Sequence, residues 1–225
     1  MQFFCLKVAE KQKKLYVCKS ILFHSPRVMQ SLKRAFIWLK RIGHGRGFGV
    51  QSPNDYRFLR NVINERLPYY QYDALKAAVG NLDRHTRKMC QLYFRLSNYA
   101  QADGFLNIGS VSGEVREYVL AACARTRDLG HLTATGSLPE VWEGRNLLVR
   151  CAYTPGVETM LRRMLQGCGE RSVIVVEGIH ASKEARQCWD ALSVASSATI
   201  AYDLYHCGIL LKENRRYKKK YFVNF

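Results

Sequence analysis

Carboxylates are nearly missing from the first fifth of this chain. Residues 1–50 hold one acid, Glu10, against 11 Lys/Arg, a net of +10. Residues 51–225 hold 17 acids against 24 Lys/Arg, a net of +7. More than half of the formal charge of +17 therefore belongs to that first segment. Such a block either attracts an anionic partner, nucleic acid or lipid, or is a solvated basic end. A second basic block at Lys212–Lys220, with Arg215, Arg216, Lys218 and Lys219 inside it, has the same two readings. Aromatic and basic residues form no known RNA or DNA module, so a nucleic-acid contact through the basic ends is open but not favoured.

Other absences exclude more. The eight cysteines show no C-x-x-C spacing and there is no His-x-His frame, which argues against a zinc ribbon and a disulfide framework. No metal site is expected, and buried free thiols in a reducing, cytoplasmic setting are. No window approaches the roughly 18 consecutive apolar residues of a membrane span. The amino terminus lacks an uninterrupted apolar stretch and a small-residue cleavage site, so it does not read as a signal peptide. What is present, 225 residues with 48% hydrophobic and 12% aromatic content, suits one globular domain with room for an appendage.

Along the chain, residues 1–28 follow no period. Met29 opens a helical run with Leu32, Ala35, Phe36 and Leu39 on one side and Lys33, Arg34, Lys40 and Arg41 elsewhere. That run either packs on the domain or touches an anionic surface. Residues 1–40 are read as a basic extension, 41–102 as a helical cap and 103–225 as an α/β domain. The glycine-rich segment 43–49 holds His44 and Arg46, either a lid or plain linker. Ser52-Pro53 starts a helix that Leu67-Pro68 ends, and Tyr69, Tyr70 and Tyr72 follow it, as packing or as a substrate mouth. A helix is predicted over Arg84 to Ala100.

The organising stretch is Gly104–Gly113. Phe105-Leu-Asn-Ile reads as a buried strand, Gly109 to Gly113 as a turn and Glu114 to Ala124 as a helix. Strand–turn–helix units of this kind place ligands against a helix amino terminus in open α/β sheets. The alternation continues with a strand at Asn146–Arg150, a helix at Pro155–Gln166, a strand at Val173–Val176 and a helix at Ser182–Leu192. Thr199–Tyr205 and Gly208–Leu211 form a closing antiparallel hairpin, with a further strand at Tyr221–Phe225. The fold class is doubly wound, Rossmann-like α/β. Between Ala124 and Asn146 the only strand candidate is Leu132–Gly136, so one βα unit is shortened or missing.

Several ordered segments carry a resemblance. They are Gly49-Val-Gln-Ser-Pro53, Leu92-Tyr-Phe-Arg-Leu-Ser-Asn-Tyr99, Phe105–Gly113, Glu177-Gly-Ile-His180 with the run on to Trp189, and Tyr202-Asp-Leu-Tyr-His-Cys-Gly-Ile209. From about Arg41 to Phe225 the chain resembles a bacterial group of class I S-adenosylmethionine-dependent methyltransferases. The resemblance implies S-adenosylmethionine as cofactor, held by Asn107, Gly109, Ser110 and Gly113, and an unknown acceptor, small or hydroxyl-bearing. It makes Glu177 and His180 the catalytic candidates, one to take a proton or hold a cation, the other to act as base. The bland alternatives are a solvated strand-end carboxylate and a His capping the next helix. Asp203 with Tyr202 and Tyr205 reads as structural and Trp189 as core. Where this family has an acid in the first strand, Asn107 stands, and its ribose-binding acid has no counterpart. The two functional expectations are therefore a methyltransferase with a weakened cofactor grip, and an inactive methyltransferase-fold protein serving as a binding or scaffold module.

Overall fold

The computed structural model describes residues 32, 36, 39, 41, 42, 50–134, 136, 142–195, 200–213 and 217–225. The sequence readings on residues 1–28, His44, Arg46, Arg215 and Arg216 fall outside them. Two compact units are present, Met1–Gly43 and His44–Phe225. In the first, Leu32, Phe36, Leu39 and Arg41 are helical.

The second unit opens with α1 (Pro53–Phe58), where the Ser52 hydroxyl accepts from Asp55 N–H and Pro53 takes the first helical position. It runs into a wider π-helical turn, Leu59–Ile63, closed by Asn64 N–H donating to Leu59 C=O. The buried Arg95 holds this turn: its Nε donates to Val62 C=O at 2.6 Å and its Nη2 to Ile63 C=O at 3.3 Å. A helix absent from the sequence reading, α2 (Gln71–Val79), follows. Tyr69 and Tyr72 pack on Phe94, with ring centroids 5.2 and 5.1 Å apart, whereas Tyr70 is exposed. The first two are half-buried in this aromatic contact. Next, α3 (Arg84–Ala100) begins on the Asp83 side chain and ends at Gln101 in the left-handed conformation.

The sheet is built from β1 (Gly104–Ile108), β2 (Arg127–Leu132), β3 (Leu147–Ala152), β4 (Val173–Glu177), β5 (Ile200–Asp203), β6 (Cys207–Leu211) and β7 (Lys219–Phe222). Helices α4 (Gly113–Ala122), α5 (Val157–Gly167) and α6 (Lys183–Ser193) connect them. The strand order is β2-β1-β3-β4-β6-β5-β7, with β6 the strand that runs against its neighbours. This is a Rossmann-like α/β sheet with a reversed strand near its carboxyl terminus. Alternate residues divide the core. Phe105, Leu148, Val173, Val175, Ile209 and Tyr202 face α1, α3 and α4, and the opposite face (Leu106, Val149, Ile174, Leu210) meets α5 and α6. Trp189, fully buried, anchors the second layer as expected.

Two details differ from the sequence reading. The strand after α4 is Arg127–Leu132, not Leu132–Gly136. It is an edge strand with polar residues exposed on both faces, so hydrophobic pattern does not mark it. It does contain an acid, Asp128, but at its amino end, opposite Phe105 and bonded to Arg116. From β2 only residues 133–146 lead to β3, whereas a further strand with its return helix takes about 30 residues. One βα unit is missing. Because β2 lies on one side of β1 and β3 on the other, the strand order reverses at β1, and ligands of open α/β sheets bind at that reversal, beyond the carboxyl ends of the strands.

Among the described residues no helix is long and apolar enough to cross a membrane.

Candidate functional site

The turn after β1 forms as the sequence predicts. Gly109 has φ of +88°, and a Cβ there would lie 2.6 Å from Ala152 C=O, so both the backbone and the approach of β3 demand glycine. Gly113 differs: it begins α4, and a Cβ would meet nothing within 4 Å. The Ser112 hydroxyl caps α4 by accepting from Val115 N–H, and it donates to Glu114 Oε2 at 2.9 Å. The Glu114 carboxyl is held below its ordinary range first by its own backbone N–H, then by Ser112, with the charge of Arg150 adding to both.

The polar groups of this turn are turned inward. Gly109 N–H donates to Leu132 C=O at 3.0 Å, and Gly109 C=O meets the His131 ring nitrogen Nε2. Ser110 C=O accepts from Arg150 Nη1 at 2.5 Å.

Arg150 organises the rest. It stands inside β3, in register with Asn107 on β1 and Val175 on β4, on the face covered by α3 and α4. Its side chain is only 7% exposed. Nη1 donates to Asn107 Oδ1 at 2.8 Å as well as to Ser110. Nε and Nη2 grip Glu177 at Oε1 (3.0 Å) and Oε2 (2.7 Å), a bidentate fork. From α3, the fully buried Tyr93 hydroxyl adds a bond to Glu177 Oε1 at 2.8 Å. Burial, then the Glu177 charge, drives the Tyr93 phenol well above its ordinary value. Burial, with the carboxylates of Glu114 and Glu177, pushes the nearby Cys90 thiol up to about 12. Asn107, Ser110 and Glu177 are thus drawn together on one guanidinium.

His180 belongs to a different cluster. Its Nε2 lies 2.8 Å from Arg186 Nη1 and 3.3 Å from Asp203 Oδ2, and the same Nη1 donates to Asp203 Oδ2 at 2.7 Å. A guanidinium only donates and a carboxylate only accepts, so His180 Nε2 stands between a donor and an acceptor and is engaged within this cluster. The His180 ring stacks on Tyr205 at 4.8 Å, and Tyr205 takes a left-handed φ of 72° with its N–H on Asp203 Oδ1 at 3.0 Å. Asp203 is completely buried. Ser182, not His180, caps α6.

Sequence reasoning missed Arg150, Tyr93 and Arg186. For Arg150 the signal was legible: one charge inside the apolar strand Leu147-Leu-Val-Arg-Cys-Ala152 must find a buried partner. Among the described residues no group of three His, Cys, Asp or Glu could hold a metal ion. The carboxyl-terminal lysines are engaged by the fold. Lys212 Nζ donates to Gln166 C=O and Cys168 C=O at the end of α5, and Lys218 Nζ to Ala195 C=O just beyond α6. Lys220 Nζ bonds Asp190 and Ser193 within α6. Cations at helix carboxyl termini complete unsatisfied carbonyls and oppose the helix dipole.

No family profile and no curated protein matches this chain. Solved structures do resemble it, weakly. One is NcsB1, an O-methyltransferase from neocarzinostatin biosynthesis in complex with S-adenosylmethionine and 2-hydroxy-5-methyl naphthoic acid. It shares 12% identity over 79% of this chain and 68% of its own, with a TM-score of 0.34. Another is PigF with SAH, at 15% identity over 83% of each chain and a TM-score of 0.38.

Proposed function

We propose that this chain is a methyltransferase-fold protein that no longer uses S-adenosylmethionine and serves as a binding or scaffold module. The observation that carries the reading is Arg150. When bound, the cofactor would supply an activated methyl group, and its cationic ammonium and sulfonium need acceptors and negative charge at the β1 turn. Asn107 Oδ1 and Ser110 C=O are acceptors of that kind, and both already receive the Arg150 guanidinium. Its positive charge, 7% exposed, opposes a second cation at the same place. Moving it aside would strip Glu177 of both charge-assisted bonds. These bonds support the loss of the cofactor's grip at the β1 turn.

Calorimetric titration of the purified chain with S-adenosylmethionine and S-adenosylhomocysteine tests this. No saturable heat is expected at millimolar ligand. Saturable micromolar binding that Gly109→Val abolishes would overturn it.

A second reading keeps a weak methyltransferase acting on a small or hydroxyl-bearing acceptor, with Glu177 and His180 as the proton-handling pair. Its support is the retained Gly109, whose φ of +88° preserves the turn.

A further inference from the structure

Three cations of the α/β unit gather without a counter-charge. Arg84 and Lys88 stand one turn apart at the amino end of α3, and Arg66 lies in the loop after the π-helical turn. All three are exposed, and none makes an ion pair or a side-chain hydrogen bond among the described residues. The carboxylates nearest them in sequence are spent on backbone. Glu65 Oε1 accepts from Arg66 N–H at 2.7 Å and Leu67 N–H at 2.8 Å. Asp83 Oδ1 accepts from His85 N–H at 2.8 Å and Thr86 N–H at 3.3 Å. Lys88 Nζ lies 3.9 Å from the Phe225 ring centroid, a contact that leaves its charge in place. Partial burial of the Lys88 amine, then the charges of Arg66, Arg84 and Arg95, hold it below its ordinary value. Residues 1–50, whose one acid is Glu10, cannot supply the missing charge.

A row of rings adjoins these cations. His85 on α3 meets His206 edge-on at 4.6 Å, and His206 meets Tyr205 at 5.2 Å. His85 is exposed and the other two are half-buried. Tyr205 holds its left-handed φ of 72° here, and non-glycine residues in that region cluster at ligand sites. His206 C=O accepts from Gly178 N–H at 2.8 Å, just past β4. The rings and the amino end of α3 are thereby set at the carboxyl end of the parallel strands, where open α/β sheets take ligands.

We infer that this surface binds single-stranded nucleic acid, with Arg66, Arg84 and Lys88 meeting phosphates and a base lying on the rings of His85, Tyr205 and His206. Uncompensated cations call for an anion, and a charge of +17 over the chain rewards a polyanion more than a lone phosphate. A single strand also offers unpaired bases, and every base has a face that stacks on an aromatic ring. A duplex hides those faces, and an anionic lipid surface has none. None of these residues belongs to the β1 turn, so the strand titration and the cofactor titration fail independently.

The full chain is titrated into a labelled, mixed-sequence RNA strand of about 12 nucleotides, followed by fluorescence anisotropy at several salt concentrations. Saturable binding is expected, declining as salt rises. The triple variant Arg66→Gln, Arg84→Gln, Lys88→Gln should weaken it by roughly tenfold or more. The same variant should flatten the slope of log K against log salt by roughly 2, since each single-strand phosphate contributes about 0.7. His85→Ala should weaken binding by roughly fivefold, whereas His85→Phe, which keeps a ring, should retain it. Thermal unfolding followed by circular dichroism should be unchanged in all of these variants, because the side chains replaced are exposed. Four results would overturn the inference. They are no saturable binding, an affinity and salt slope unchanged in the triple variant, a duplex of the same length bound as tightly as the strand, and equal loss in both His85 variants.

Discussion

Two arginine–carboxylate clusters lie near one another in the chain and differ in which partner is buried. In the first, Arg150 rises from the interior of β3 with 7% of its side chain exposed, and Glu177 at the end of β4 keeps 24%. In the second the carboxylate is hidden: Asp203 is fully buried, and Arg186 on α6 keeps 29% exposure and a further partner in Asp190. A charge that can turn to water survives the loss of its partner, whereas a charge that cannot is left in a low-dielectric interior. The same chemical pair therefore has two opposite points of weakness. Arg150 also reaches the β1 turn, so the first cluster bears on ligand binding, while the second ties α6, the β4–α6 loop and the β5–β6 turn together.

The comparison breaks most sharply when the exposed partner of each pair is removed. Glu177→Gln leaves the buried Arg150 charge uncompensated, and Arg186→Met leaves the Asp203 carboxylate without its guanidinium. Each is expected to cost about 3–5 kcal/mol in urea unfolding. Next comes the turn that presents Ser110 to Arg150. Gly109→Ala puts a Cβ against Ala152 C=O at a φ of +88°, for an expected loss of about 2 kcal/mol. Removing the buried partner should cost least. Arg150→Met leaves Glu177 able to reach water and the Tyr93 hydroxyl, and Asp203→Asn leaves Arg186 on Asp190, each about 1 kcal/mol. If Arg150→Met instead costs as much as Glu177→Gln, burial does not govern the two pairs.

A smaller effect separates the clusters by pH. Burial raises the Cys90 and Cys151 thiols from an ordinary 9.0 to about 12, and Cys188 to about 11. Above pH 9 the unfolded chain releases these protons while the folded chain keeps them. Stability is then fully present below pH 9 and falls as pH rises toward 12. In the folded protein these thiols should resist alkylation at pH 8 and react on unfolding. Glu177 contributes to the Cys90 shift, so Glu177→Gln should lower it, with little change at Cys188, whose carboxylate neighbour is Glu158.

Much of the fold was legible because its signals are local. Ser52-Pro53 marks the start of α1, the apolar spacing of Arg84–Ala100 gives α3, and the β-branched run Val173–Val176 gives β4. The edge strand β2 and the helix α2 were not, since both are largely exposed and carry weak hydrophobic pattern. The candidate site divides in the same way. Gly109 declares itself through the turn that follows a buried strand. Arg150 shows only as an oddity, a charge in an apolar strand, because its partners Asn107 and Glu177 lie 43 and 27 residues away.

Residue order by itself determined the doubly wound class, the glycine turn, the missing βα unit and the concentration of positive charge in residues 1–50. Those follow from periodicity, chain length and composition, which act over neighbouring residues. The tertiary structure decided what the turn and the basic tail are occupied with. Strand register, absent from any local pattern, sets Arg150 beside Asn107 and aims its guanidinium at Ser110 and Glu177. Packing of β6 and β7 against α5 and α6 commits Lys212, Lys218 and Lys220 to helix ends and helix side chains. Hydrogen-bonding groups that read as available in one dimension are spent once the chain closes on itself.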